Sequence, residues 1–295
     1  IGGNQDNGTL KGITGDPVWS KIKDGDGATV DIDPTNTSIM YAMHQYINSV
    51  SRSADGGGTF NLITNGLLIT GSQCFNLHYQ VHPTQPTTLL LSCWGLWRTT
   101  DSGANWSLFF VPQTDRAVRT AVDGSADTYY TGTNAGEIWR KPAGGSSTSI
   151  FQHWNRSGLT DLEINPANPT RLYASFGGTG RRRIVRLVRT SVIWDEFSAQ
   201  DITSDLPRNL FVRTIAIDKN YPFTIYAGTD RGVYQGRSLD RGFTWFWRPY
   251  NNGMPPADVR DLEVHPTTGI MRAFTHGRSA FEVMTSRATG GDEVE

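Results

Sequence analysis

The chain has 295 residues and an almost balanced charge, with 27 Lys and Arg against 28 Asp and Glu. It lacks the basic surplus that predicts a nucleic-acid surface, and no apolar run approaches the roughly 20 residues of a membrane-spanning helix. The 32 glycines and the many aromatic residues favour short strands joined by tight turns, so we predict an all-β protein without a nucleic-acid partner or a membrane span.

Predicted strands recur along the chain at a regular spacing. In each copy, two segments of alternating apolar residues flank a polar turn, as in VDIDP at 30–34 followed by IMYA at 39–42. The turns of six copies fall at positions 33, 82, 123, 165, 218 and 265, about 46 residues apart. This period and the two-residue alternation are typical of one four-stranded antiparallel sheet, or blade, per repeat. We therefore predict a β-propeller of six to seven blades.

The repeats also predict where each blade begins and ends. Five complete blades are expected at 28–64, 75–111, 116–155, 159–204 and 211–250. Residues 257–284 supply three strands of another blade. The N-terminus supplies the second, third and fourth strands of a blade whose first strand would lie upstream, at 1–4, 10–13 and 18–22. We expect a single propeller at 1–284 and a polar tail at 285–295; closure within this chain and membership of a longer propeller both stay open.

A second motif recurs in register with the blades. It reads S/T-x-D-x-G-x-T/N-aromatic and occurs as SADGGGTF (53–60), TTDSGANW (99–106) and SLDRGFTW (238–245). Aspartate can accept main-chain hydrogen bonds in a tight turn, glycine supplies a positive φ, and the aromatic side chain anchors the turn. We assign a structural role to Asp55, Gly57, Asp101, Gly103, Trp106, Asp240, Gly242 and Trp245.

This motif resembles the Asp-box, or BNR, repeat of sialidases, sortilin-type ectodomains and family 74 glycoside hydrolases. The resemblance implies that each box is the hairpin between third and fourth strands, away from the usual binding face. Three further segments, GGNQDNG (2–8), GDG (25–27) and FTHGRSAF (274–281), are similar to large secreted bacterial BNR-repeat proteins. The resemblance covers nearly the whole chain and implies a propeller, a fold that hosts hydrolases, receptors and assembly scaffolds.

A ligand is expected on the opposite face, where the second-to-third-strand hairpins and the links between blades gather. The residues predicted there are Asp6, Asn7, Asp24, Asp26, His44, Gln45, Trp94, Asn134, Asp230, Arg231, His276 and Arg278. Glycoside hydrolysis needs two carboxylates, and the candidates are Asp6, Asp24, Asp26 and Asp230. Trp94 and Trp97 are candidate stacking platforms for sugar rings. The predicted binding set is completed by His44, Arg231, His276 and Arg278. Asp-Gly and Asp-Asn-Gly also form turns, which gives the three N-terminal aspartates a structural alternative.

Sialidase and zinc chemistry are not predicted. A sialidase clamps a substrate carboxylate with convergent arginines, whereas Arg181, Arg182 and Arg183 are consecutive and are expected to form a solvated basic loop. The six histidines lack zinc-type spacing, and His82 and His265 precede proline at equivalent repeat positions, which favours a turn role. No cofactor is predicted, although a calcium ion needs no fixed linear motif and stays open.

Cys74 and Cys93 flank a predicted hairpin and are placed to face each other across its open end. Free thiols and a disulfide both stay open; a disulfide would favour an oxidising compartment. We expect a secreted or cell-surface, non-catalytic propeller that binds a glycan or protein partner. The alternative is a glycoside hydrolase acting on a β-glucan such as xyloglucan, with two of the aspartates as acid and base. The incomplete terminal blades leave a larger assembly as a third alternative.

Overall fold

The protein is an all-β propeller of seven antiparallel sheets, which we number I to VII in chain order. Sheets II to VI have four strands, and sheets I and VII have three. The fold predicted from the repeats is therefore confirmed. The computed structural model describes residues 1–13, 16, 18–68, 78–113, 115–191, 195–221, 223–251, 253–265 and 267–285.

The strands of the first four sheets follow one another along the chain. Sheet I contains β1 (Gly2–Asn4), β2 (Gly8–Gly12) and β3 (Trp19–Lys23). Sheet II contains β4 (Val30–Ile32), β5 (Met40–Ala42), β6 (Ser51–Ser53) and β7 (Asn61–Leu62), with one 3-10 turn between β5 and β6 at Ile47–Ser49. Sheet III contains β8 (His78–Val81), β9 (Leu89–Cys93), β10 (Gly95–Thr99) and β11 (Ser107–Phe110). Sheet IV contains β12 (Ala117–Asp123), β13 (Thr128–Thr133), β14 (Glu137–Pro142) and β15 (Thr148–Gln152).

The remaining three sheets keep the same strand order. Sheet V contains β16 (Leu159–Ile164), β17 (Arg171–Phe176), β18 (Ile184–Arg189) and β19 (Phe197–Asp201). Sheet VI contains β20 (Val212–Ile217), β21 (Thr224–Thr229), β22 (Gly232–Arg237) and β23 (Phe246–Pro249). Sheet VII contains β24 (Asp258–Val264), β25 (Ile270–His276) and β26 (Ala280–Met284). Sheets II to VII each fall within a predicted blade, whereas sheet I differs slightly from its predicted strands, since β2 begins at Gly8 and β3 ends at Lys23.

The backbone divides into two compact units: unit 1 is Ile1–Ile164 with Arg189–Phe197, and unit 2 is Asn165–Val188 with Ser198–Glu295. Within unit 1 the first strands β4, β8, β12 and β16 contact one another in turn, and within unit 2 β20 contacts β24. First strands therefore lie where neighbouring sheets converge. The second strand β9 is buried at every position, because a sheet packed between two others has no solvent-facing side.

Three hairpins repeat one hydrogen-bond pattern, and we call them the aspartate hairpins. They span 53–60, 99–106 and 238–245 and join the third to the fourth strands of sheets II, III and VI. In each, the carboxylate accepts a hydroxyl two residues earlier and a main-chain N–H four residues later, at 2.6–2.9 Å. The glycine two residues after the aspartate has a φ of 92 to 98° and donates its N–H to that hydroxyl. Asp55, Asp101 and Asp240 thus occupy equivalent corners.

Each aspartate hairpin also bonds to the preceding sheet. Lys11 donates to the main-chain oxygen of Gly56 at 2.8 Å, and Arg186 donates to that of Gly242 at 2.5 Å. In the hairpin of sheet III, the buried Trp106 indole donates to the oxygen of Ile63 at 2.7 Å. We call the edge of each sheet that carries the hairpins between third and fourth strands the lower edge. The opposite, upper edge carries the hairpins between second and third strands.

The six predicted turn positions, between first and second strands, also prove equivalent. In each, one side-chain atom accepts the main-chain N–H two residues later, at 2.7–3.3 Å. That atom is Oδ1 of Asp33, Asp123, Asn165 and Asp218, and Nδ1 of His82 and His265. An imidazole nitrogen therefore replaces the carboxylate or amide oxygen of an Asx turn, which confirms the turn role predicted for the two histidines.

Candidate ligand-binding site

Trp94 is a large aromatic side chain exposed at the upper edge of sheet III. The register pairs Cys93 with Gly95, so Trp94 alone forms the tip of the β9–β10 hairpin. Its φ is +57° and its side chain is 54% exposed. Left-handed backbone costs a residue with a Cβ atom about 1–2 kcal/mol. The exposed position of the Trp94 indole is therefore combined with an unfavourable backbone conformation at the hairpin tip.

Trp97 does not share that exposure, so its predicted role as a stacking platform is wrong. It lies within β10, is only 6% exposed, and donates from Nε1 to the main-chain oxygen of Cys93 at 3.2 Å. It packs in a core cluster with Tyr79, Leu91 and Trp106. Because sheet III is covered on both faces, alternation along β10 does not bring this ring to the surface.

Asp26 joins three upper-edge segments of sheets I and II. One carboxylate oxygen accepts the N–H of Asp6 at 3.0 Å, and the other accepts Nε2 of Gln45 at 3.0 Å. Asp6 has a φ of 63° and forms the β1–β2 turn. The structure thus brings three predicted upper-face residues together, Asp6, Asp26 and Gln45. Both oxygens of Asp26 are already engaged, which suits an anchor better than a catalytic base.

His44 lies beside Lys23, a residue that the sequence analysis missed. Nζ of Lys23 is 3.1 Å from Nε2 of His44, and because an ammonium group only donates, the ring proton is assigned to Nδ1. Burial, and then the Lys23 charge, lower the pKa of His44; burial also lowers the pKa of Lys23. Nδ1 is buried without a hydrogen-bond partner. Gly25, with a φ of +98°, passes so close to this ring that a Cβ atom would overlap it.

The other two candidate catalytic aspartates have local partners. Asp24 is exposed and forms an ion pair with Lys21 at 2.6 Å. The hydrogen bond from Lys21 holds the pKa of Asp24 below its usual value, so this carboxyl is ionised and unsuited to a general-acid role. Asp230 accepts the N–H of Phe211 at 2.8 Å, while its own N–H donates to the Phe211 oxygen at 3.1 Å. It therefore closes the upper end of the β20–β21 pair.

The predicted binding residues of unit 2 lie at the upper edge of sheets VI and VII. Arg231, His276 and Arg278 are exposed on the β21–β22 and β25–β26 hairpins. Nδ1 of His276 is 3.2 Å from Nη2 of Arg260, a residue that the sequence analysis did not select. No sequence pattern relates the two residues, because the pairing depends on the register of β24 against β25.

The predicted solvated loop of three arginines is wrong for one of them. Arg181 and Arg182 are exposed, but Arg183 is 1% exposed. Its guanidinium donates to the main-chain oxygens of Leu206, Pro207 and Leu210 at 2.8–3.0 Å. This side chain therefore stabilises the connection between β19 and β20 from the inside.

Asp31 is a carboxyl with shifted acidity on β4. Desolvation raises its pKa to about 6, although hydrogen bonds from the N–H groups of Val81 and Ile32, each at 2.7 Å, oppose the shift. The side chain keeps some solvent contact but is surrounded by protein. Because it bonds to β8, Asp31 ties the first strands of sheets II and III together.

Cys93 is buried at the end of β9 and its thiol is not free. Cys74, its predicted disulfide partner, lies outside the described residues, so the pairing stays a prediction. In the part of the chain that the structure describes, no group of three or more His, Cys, Asp or Glu side chains could hold a metal ion. The same residues include no helix with the length and apolarity needed to cross a membrane.

No protein-family model matches the chain, and no curated protein matches its sequence. Solved structures do match. The GH74 xyloglucanase of Xanthomonas campestris is similar over 96% of this chain and 49% of its own, with a TM-score of 0.71 and 16% identity. The GH74 enzyme of Niastella koreensis covers 87% of this chain and 44% of its own, with a TM-score of 0.64 and 19% identity. YCF48 of Cyanidioschyzon merolae is similar over 87% of this chain and 81% of its own, with a TM-score of 0.59 and 13% identity.

At these identities the similarity establishes the fold and not the activity. The chain spans less than half the length of the GH74 enzymes that it matches.

Proposed function

We propose that the protein is a secreted glycan-binding propeller whose ligand stacks on Trp94 at the upper edge of unit 1. The observation that carries this proposal is the exposed indole held at φ +57° on a one-residue hairpin tip. Strained backbone is retained where the surroundings enforce it, and it clusters at binding sites. A flat, exposed aromatic ring is also the surface on which a sugar ring packs.

Polar groups at the same edge of sheets I and II support a sugar ligand. Lys23 of sheet I and Gln45 of sheet II offer hydrogen-bonding atoms, and Tyr46 adds an aromatic side chain that is 38% exposed. Binding sites for small polar ligands combine apolar surface with a few placed polar groups. This combination favours a glycan over a protein partner.

We also propose a repeat family for the hairpins and a cellular location for the protein. We infer that the aspartate hairpins are Asp-box repeats, since their hydrogen bonds use the residues that the motif specifies. Secretion is supported by Cys93, because a cysteine without a free thiol suits an oxidising compartment.

Hydrolysis of a β-glucan is the second candidate function, favoured by the similarity to GH74 enzymes. It would require two carboxylates across a cleft, one of them protonated. The bonds of Asp24, Asp26 and Asp230 support anchoring roles instead. Binding without cleavage is therefore the better supported function.

Affinity electrophoresis in gels containing xyloglucan, mixed-linkage β-glucan or mannan tests both candidates. We expect retardation by at least one polymer, weakened at least tenfold in W94A. The matched control is F243A, because Phe243 is 77% exposed but lies on the lower edge of its sheet. No retardation, or equal retardation of wild type and W94A, would overturn the proposal. Release of new reducing ends by the wild type would establish the hydrolase instead.

A further inference from the structure

The aspartate hairpin of sheet VI carries large apolar side chains in solvent. Leu239 is 81% exposed, Phe243 is 77% exposed, and Phe246, which begins β23, is 56% exposed. Apolar side chains that are exposed together, unlike scattered ones, mark a surface that binds a partner. We call Leu239, Phe243 and Phe246 the apolar tip.

The hairpin does not need these side chains in order to form. Small or polar residues occupy the equivalent positions of the other two aspartate hairpins: Ala54, Gly58 and Asn61 in sheet II, and Thr100, Ala104 and Ser107 in sheet III. All three hairpins nevertheless make the same hydrogen bonds around their aspartates. The apolar tip is therefore an addition to the turn and not a requirement of it.

Main-chain and buried contacts fix the position of this hairpin. The main-chain oxygen of Gly242 accepts from Arg186 at 2.5 Å, and that of Phe243 accepts from Gln200 at 2.6 Å. The Trp245 side chain is 2% exposed and donates from Nε1 to the Gly242 oxygen at 3.0 Å. Since none of these contacts uses a side chain of the apolar tip, the backbone is held in place while the three side chains stay in solvent.

Basic side chains accompany the apolar tip at the lower edge of sheet VI. Lys219 and Arg241 are exposed and Arg237 is half-buried, and none of the three forms an ion pair with a described residue. The acids of this edge are Asp218, which is buried, and Asp240, which accepts a hydroxyl and two main-chain N–H groups within the hairpin. The exposed surface here is therefore positively charged.

The neighbouring sheets of unit 2 do not cancel this charge. Arg171 of sheet V adds a further cation at the lower edge, 5.0 Å from the centre of the Phe223 ring. In sheet VII, Glu282 pairs with Arg272 at 2.8 Å. Glu263 lies on the first strand β24, whereas the apolar tip lies beside the fourth strand β23.

Charge and size discriminate between the partners that this surface could take. A second copy of the chain would bring like charges together if the two apolar tips met. A stable protein interface uses about 20 to 30 residues from each side. The apolar tip has three, and elsewhere in the described part of unit 2 only Met284 is a large, exposed apolar side chain.

A lipid surface needs no complementary shape. Peripheral proteins bind it when a few apolar side chains enter the headgroup region and basic side chains are attracted to anionic lipids. The hairpin of sheet VI offers this combination. Arg241 lies between Leu239 and Phe243 in the turn, so its guanidinium accompanies the two most exposed apolar side chains.

We propose that the apolar tip docks the protein peripherally on membranes that contain anionic phospholipids. Leu239 and Phe243 enter the headgroup region, and Arg241 donates hydrogen bonds to lipid phosphates. Lys219 and Arg237 strengthen the attraction to the charged surface. This inference goes beyond the proposed function and is independent of it, since it uses residues of sheet VI alone.

Cosedimentation of the full chain at low salt with phosphatidylcholine vesicles, prepared with and without phosphatidylglycerol, tests the inference. We expect at least tenfold tighter binding when phosphatidylglycerol is present. L239T/F243A and R241S give the hairpin the residues of its sheet III counterpart, so both variants should fold. The first should weaken binding at least tenfold, and the second should reduce the preference for phosphatidylglycerol. L62A is the matched control, because Leu62 is 66% exposed on β7 of sheet II.

Three results would overturn the inference: no binding of the wild type to either vesicle, equal binding to both, and binding that L239T/F243A leaves unchanged. A dimer that L239T/F243A dissociates, seen by analytical ultracentrifugation without vesicle binding, would assign the surface to a second copy instead. Melting temperatures verify that the variants fold. W94A should keep vesicle binding and L239T/F243A should keep retardation by glycans, so failure of one proposal is distinguishable from failure of the other.

Discussion

Nζ of Lys23 lies 3.1 Å from Nε2 of His44, so a cation donates to an imidazole that is neutral in the folded protein. Burial and the Lys23 charge lower the pKa of His44 from 6.5, against the opposing effect of Asp26 and Asp24. A lowered folded-state pKa means that the unfolded chain binds the proton more readily. The stability that His44 contributes is therefore complete above pH 6.5 and is lost as the pH falls through the lowered value.

The first prediction concerns this pair. An NMR titration of the His44 ring should give a pKa below 6.5 in the wild type and a higher value in K23M, because the substitution removes the neighbouring positive charge. The control is K141M, which removes a lysine of sheet IV and should leave the pKa of His44 unchanged. A wild-type His44 pKa of 6.5 or more would contradict the assigned hydrogen bond.

The second prediction concerns acid stability of the aspartate hairpins. Hydrogen bonds from the Thr99 hydroxyl and from Asn105 lower the pKa of Asp101 from 3.8 to about 2. Its contribution to stability is therefore present above pH 4 and is lost as the pH falls towards 2. Melting temperatures measured from pH 6 to pH 2 should show D101N less stable than the wild type at pH 6, with the difference shrinking towards pH 2. T100V, at an exposed residue of the same hairpin, should run parallel to the wild type; a constant gap for D101N would refute the prediction.

The third prediction concerns the buried arginine. R183M leaves three main-chain oxygens without their donor, and we expect a loss of about 3 kcal/mol in the free energy of unfolding. R181M removes an exposed arginine two residues before it and should change stability by less than about 0.5 kcal/mol. Urea denaturation followed by tryptophan fluorescence measures both. Equal stabilities for the two variants would show that the bonds to Leu206, Pro207 and Leu210 contribute little.

The fold was predictable because its determinants are local. The turn residues at 33, 82, 123, 165, 218 and 265 and the aspartate hairpins each bond within a few residues of themselves. Their spacing therefore records the blade period directly. Strand ends followed from the same turns.

The candidate sites were less predictable because their contacts join distant segments. Lys23 and His44 are 21 residues apart, and Arg260 and His276 are 16 apart. Arg183 was misassigned for the same reason, because its partners Leu206, Pro207 and Leu210 are 23 to 27 residues away. Trp97 was misassigned because a sheet covered on both faces lacks the polar-apolar alternation that usually separates buried from exposed side chains.

The one-sided position of the aspartate hairpins has a consequence for how such a chain can diversify. Since the bracing bonds to Gly56 and Gly242 are made at one end of the strands, connections at the opposite end are free to lengthen or shorten. In the described chain the hairpins between second and third strands range from the lone Trp94 to the stretch 43–50. Hairpins that bind new ligands can therefore replace those at the upper edge without breaking the hydrogen bonds that join neighbouring sheets at the lower edge.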